Sequence, residues 1–213
     1  MSVSRSASQS SPSAETHHHR APLTSRQRLL LIADSALSPE EALSMTDEAF
    51  DFAFFQTHGI GSAHIRAAKL NPAQLKSRGV SSARDLRALD FNSLDLVDAS
   101  WCASAIATFG SDEIVSAFVL NANDAVAVSG TAAMHQLGLD VPTLLLLCTG
   151  CPAEALGVLK LARPRSHAIR NVPPATLIDC RIGAKALREL GFDIESVVAH
   201  TRATTQQLEL LGF

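Results

Sequence analysis

Residues 183–193 read GAKALRELGFD, and the way that stretch stops decides the fold. Leu187 and Leu190 lie three apart, on one face of a short helix. Gly191 stands where the chain must leave the helix with positive φ, a conformation that favours a residue without Cβ. Phe192 then tucks back as the apolar residue after the cap, and Asp193 offers a carboxylate oxygen to the free N–H groups of the next helix. Stop and start signals are fused. A helix of about seven residues is too short to hold alone in water, so each must bury its apolar stripe against other units.

The same grammar extends in both directions. It is present in SAHIRAAKLN (62–71), PAQLKSRGVS (72–81), SARDLRALDFN (82–92) and SLDLVDASWCA (93–103), and again in TAAMHQLGLD (131–140), PAEALGVLKLA (152–162) and TTQQLELLGF (204–213). The mid-unit apolar residues Phe55, Ile65, Leu75, Leu86 and Val97 are spaced 10, 10, 11 and 11 apart; Leu177, Leu187, Val198 and Leu208 are spaced 10, 11 and 10. Asn71, Ser81, Asn92, Asp140 and Asp193 are the expected caps. The pattern blurs between Ser100 and Gly130, although Ile106 with Phe109 and Gly110, and Val115 with Phe118, still fit it. It breaks at ARPRSHAIRNVPP (162–174), where Pro164, Pro173 and Pro174 forbid regular helix and predict an ordered loop or hinge.

This L-x-x-x-G-F grammar followed by a capping residue resembles the short leucine and Gly-Phe helical repeats of large protist and pathogen proteins. The resemblance covers about 150 residues and implies a structural, scaffold-like role. Many units depart from it by lacking the glycine.

The predicted fold class is therefore all-α, a solenoid-like stack of short helices with a disordered N-terminal tail. Residues 1–22 form the tail, rich in Ser and carrying Arg5 and Arg20 against the single acid Glu15. Residues 23–55 hold three conventional helices. Thr24 or Ser25 caps the first, Ser38 before Pro39, Glu40 and Glu41 opens the second, and Thr46 with Asp47 and Glu48 opens the third, which carries Phe50, Phe54 and Phe55. Short-helix repeats fill 56–161 and 175–213, separated by the basic proline-containing loop at 162–174.

Composition narrows the function classes. The chain is 46% hydrophobic and 18% charged, with mean hydropathy +0.15, so most of it should fold. A net charge of −3 argues against a surface that grips nucleic acid throughout. Tyrosine is absent, Trp101 is the one tryptophan, and the nine phenylalanines sit mostly in apolar patterns, leaving few platforms for base stacking. No apolar run is long enough to span a bilayer; the densest, Leu144 to Cys148, lies between Pro142 and Gly150. Without a secretory signal the cysteines are expected as reduced thiols, which places the protein in the cytoplasm or cytoskeleton; the acid-poor, Arg-bearing tail makes mitochondrial import the alternative.

Two constellations carry candidate chemistry. Lys160, Arg163, Arg165, His167 and Arg170 form a cationic cluster with no acid between Glu154 and Asp179, suited to an acidic protein surface or a phosphate backbone. Cys148, Cys151 and Cys180 with His167 have the composition of a tetrahedral zinc site, but each cysteine also fits as a small core residue. No catalytic motif is present: there is no G-x-S-x-G elbow, and Thr57 to Gly61 lacks the lysine and the strand of a phosphate loop. Phe213 ends the last unit where another would begin, so that end is expected to be covered by a partner, by a second copy of the chain or by the chain's own N-terminal segment folding back. The expected function is a non-catalytic, cofactor-free scaffold or adaptor within a cytoskeletal or ribonucleoprotein assembly, with RNA contact through the basic loop and tail, or a small zinc or thiol-redox protein, as alternatives.

Overall fold

A computed structural model of the chain describes residues 51–164 and 167–213. Every regular element among them is helical. In order they are α1 (Phe52–Thr57), α2 (Ser62–Ala67), α3 (Pro72–Ser77), α4 (Ala83–Ala88), a 3-10 turn η1 (Ser93–Val97), α5 (Ala99–Phe109), α6 (Ser111–Phe118), α7 (Ala122–Val128), α8 (Ala132–Gln136), α9 (Val141–Leu146), α10 (Pro152–Leu161), α11 (Pro174–Asp179), α12 (Ala184–Glu189), α13 (Ile194–Thr201) and α14 (Thr205–Leu211). The tail at 1–22 and the first two expected helices lie outside the described residues. The third differs from expectation. Asp51 is extended (ψ 179°) and its carboxylate accepts the Phe54 N–H, so the helix that carries Phe54 and Phe55 starts at Phe52 rather than at Thr46. Asp competes with the helix for backbone donors, and here it wins as a cap.

One hydrogen bond repeats through the units. The N–H of the closing apolar residue donates to the carbonyl of the mid-unit residue five positions back: Ile60 to Phe55 (2.9 Å), Leu70 to Ile65 (3.1 Å), Val80 to Leu75 (3.1 Å), Phe91 to Leu86 (3.2 Å), Leu139 to Met134 (2.9 Å), Ile182 to Leu177 (2.9 Å), Phe192 to Leu187 (2.9 Å) and Phe213 to Leu208 (3.0 Å). The residue just before each donor has positive φ: Gly59, Lys69, Gly79, Asp90, Gly138, Arg181, Gly191 and Gly212. This is Schellman closure, which satisfies carbonyls that a short helix otherwise leaves free. The N-terminal ends are closed by side chains: Asn71, Asn92, Asp140 and Asp193 each accept a backbone N–H of the helix that follows. At the remaining position the cap is Ser82 and not Ser81, whose N–H and hydroxyl donate to Asp85 at 2.8 and 2.7 Å.

The register of the buried column is also sharper than spacing predicts. Phe55, Ile65, Leu75, Leu86 and Leu96 are each fully buried, whereas Val97 is 44% exposed; likewise Val197 is buried and Val198 is 41% exposed. Both errors fall on adjacent apolar pairs, between which a ten- or eleven-residue spacing cannot choose.

The units pack mainly against units about thirty residues away rather than on their immediate neighbours alone. α3 lies against α5, α4 against α6, η1 against α7, α5 against α8, α7 against α10, α9 against α11, and α11 against α14. Side-chain ties span the same interval: Arg66 to Asp95 crosses 29 residues, Ala83 to Glu113 crosses 30, Ser93 to Asp124 crosses 31 and Ser129 to the Val158 carbonyl crosses 29. That order of contacts is a coil with three short units to the turn. Its buried residues form one cluster from Phe54 to Leu211, which gives each marginal helix the apolar burial it lacks alone. Among the described residues no helix is long and apolar enough to cross a membrane.

Candidate binding face

The proline-containing segment is tied into the coil by its apolar residues. Ala168, Ile169 and Val172 are buried, which leaves His167 and Arg170 exposed between and beside them. Lys160, also exposed, occupies the last turn of α10. The Arg163 Nη1 donates to the carbonyls of Lys160 (3.0 Å) and Ala162 (3.3 Å), placing its positive charge where a helix end carries unpaired carbonyls. Arg165 lies outside the described residues.

The coil brings a second stretch onto this segment. The Asn171 N–H donates to the His200 carbonyl at 3.2 Å, and the rings of His167 and His200 lie 6.5 Å apart at 62°. Arg202 follows in a left-handed conformation (φ 58°). A cleft of about 420 Å³ separates the two stretches, lined by Asn171, Val172, Pro173, Pro174, His200, Thr201 and Arg202. Residues 155–178 and 196–208 contain no Asp or Glu, yet hold Lys160, Arg163, Arg165, Arg170 and Arg202, five of the 18 basic residues in a chain of net charge −3. Positive charge is thus concentrated in two acid-free stretches that the Asn171–His200 hydrogen bond brings together. Sequence reading found the loop and missed His200 and Arg202. The signal that would have found them is the coil period, since His200 lies 33 residues after His167 and Arg202 lies 32 after Arg170.

The other candidates are placed differently. Phe213 is half-buried, packs against the core and lies under the Arg188 guanidinium, 5.2 Å from the ring centroid, so it is held by its own chain. The exposed apolar residue of that last helix is Leu210. Cys148 and Cys180 are fully buried, and their thiols donate to the carbonyls of Leu144 (3.5 Å) and Leu145 (3.2 Å). Burial first, then the neighbouring cysteines and Glu154, push the Cys148 thiol up to about 11; burial and Asp179 push Cys180 up to about 11. A metal ligand must be a thiolate, which this environment opposes. Among the described residues no three His, Cys, Asp or Glu side chains converge to hold a metal ion.

No protein-family model, curated protein or solved structure matches the chain.

Proposed function

We propose that the protein is a non-catalytic helical-repeat scaffold or adaptor, and that an acidic protein surface docks on the face formed by Lys160, Arg163, His167, Arg170, His200 and Arg202. The observation that carries this reading is the joining of two acid-free, basic stretches by the Asn171–His200 hydrogen bond. Docking of an acidic surface at such a face gains speed and selectivity from complementary potential and weakens with salt. A protein partner is favoured over RNA because most of the described aromatic side chains on which bases would stack are committed to the core. Trp101, Phe54, Phe55, Phe91, Phe118 and Phe192 are all buried in the core.

The test is titration of the full chain with a fluorescent Asp/Glu-rich peptide and, separately, with poly-uridine. The reading requires salt-sensitive peptide binding that falls about tenfold or more in Arg170→Glu/Arg202→Glu. Peptide affinity unchanged in that variant, or poly-uridine bound more tightly than the peptide, overturns it.

A further inference from the structure

The basic face holds two imidazoles beside its arginines. His167 is exposed on the proline-containing segment, where its backbone N–H donates to the Pro164 carbonyl and its own carbonyl accepts the Arg170 N–H, both at 2.9 Å. His200 is half-buried in the last turn of α13, and its carbonyl accepts the Asn171 N–H at 3.2 Å. With both backbones held in this way, the two rings lie 6.5 Å apart at 62°. Neither ring makes a hydrogen bond or an ion pair with the described residues. Both are open to an acceptor that a partner brings.

The charges packed around the pair are mostly of one sign. Arg163 and Arg170 flank His167 on its own segment, Lys160 adds to them from the last turn of α10, and Arg202 follows His200. The nearest acids along the chain each stand at the end of a helix away from the cleft. They are Glu154 in the first turn of α10, Asp179 at the end of α11, Glu195 in the first turn of α13 and Glu209 in the second half of α14. Helical rise over that separation amounts to roughly 7 Å or more. One coil turn earlier stand His135 and Asp140, and the Asp140 carboxylate is already committed as the cap of α9, accepting the Thr143 N–H at 2.9 Å.

We infer that His167 and His200 make docking at this face pH-dependent, so that an acidic protein surface binds more tightly as pH falls from about 8 to about 6. The inference rests on the basic face proposed above. Histidine is the side chain whose charge ordinarily changes in this range, while the carboxylates of a partner stay ionised throughout it. A carboxylate set against an imidazole favours the protonated ring. Docking therefore takes up protons, and a complex that holds more protons than its separated parts gains affinity as pH falls.

The full chain is titrated by calorimetry with an N-acetylated Asp/Glu-rich peptide at constant ionic strength. Affinity about fivefold or more higher at about pH 6 than at about pH 8 is expected. Heats measured in two buffers of unlike ionisation enthalpy, at about pH 6.5, should show net proton uptake, a readout that needs no variant to fold. His167→Gln/His200→Gln should lose most of the pH dependence, and His167→Arg/His200→Arg should bind with little of it. Lys160→Gln, which removes a basic group other than the imidazoles, should weaken binding by a similar factor at both ends of the range. Equal wild-type affinity at the two pH values, no proton uptake, or the wild-type pH dependence retained in His167→Gln/His200→Gln overturns the inference and leaves the basic face standing wherever peptide binding stays salt-sensitive. Absence of peptide binding at every pH overturns both.

Discussion

The units at the two ends of the coil and the longer helices in its middle are held by different means. From Phe52 to Phe91 and from Pro174 to Phe213 most units close on themselves, through a left-handed residue and a hydrogen bond back to the mid-unit carbonyl. Between Ala99 and Leu161 some helices are longer, eleven residues in α5 and ten in α10, and among the described residues there only one unit, Leu139 to Met134, makes that closure. What replaces it is close approach between turns. A Cβ on Gly130 would overlap the Leu161 carbonyl oxygen, and one on Gly157 would come within 3.2 Å of Val126. A Cβ on Gly191, by contrast, meets nothing within 4 Å. Gly59, Gly191 and Gly212, at the ends of the coil, serve backbone conformation alone, while Gly130 also provides room for a neighbouring turn.

The largest effect separates these two roles. Gly130→Ala adds a clash with backbone to the strain of φ +69° and should destabilise by about 3–5 kcal/mol in chemical denaturation. A cost near that of Gly191→Ala would erase the distinction between the regions.

A second prediction probes the join between middle and end, where Cys148 follows α9 and Cys180 follows α11. Folding raises both thiols from 9.0 to about 11. The unfolded chain therefore loses its thiol protons first as pH climbs. The contribution of each thiol is intact below about 9 and is lost as pH rises through 11, on the order of 2 kcal/mol apiece. Denaturation midpoints measured between pH 8 and pH 11 should fall, and Cys148→Ala/Cys180→Ala should flatten that fall. An equal slope in the double variant would remove the thiols from the account.

Much of this fold is legible in the sequence because the signals are local. The Gly-Phe-Asp run at Gly191, Phe192 and Asp193 contains closure, tuck and cap in three adjacent residues, and the structure forms all three. Lys69 and Arg181 show where legibility stops: only their place in the repeat marks them as left-handed, since side-chain chemistry argues the other way. Leu96 against Val97 and Val197 against Val198 were undecidable because the choice belongs to the neighbouring turn. The same holds for the candidate face. Lys160, Arg163 and Arg170 stand in one visible run, whereas His200 and Arg202 join them only through packing across a turn.

Two smaller effects sharpen the closure itself. Gly191→Ala should cost about 1 kcal/mol, because φ +91° is strained for an L-residue although the space is open. Arg181→Gly should do the reverse, relieving a left-handed residue (φ 56°) and stabilising by about 0.5 kcal/mol once the extra freedom of the unfolded chain is set against it. Thermal melts of the two variants moving in the same direction would mean that closure positions at 181 and 191 are not equivalent.

The most direct test of the account joins fold to function in one residue. Arg202 is distant from the basic loop in sequence and reaches it only because the coil returns after three units. Titration of the acidic peptide against Arg202→Glu and Arg170→Glu, each alone, should show losses of similar size, about threefold to tenfold at low salt. An Arg202→Glu variant that binds the peptide like the wild type, while Arg170→Glu does not, would contradict the claim that the coil assembles the face.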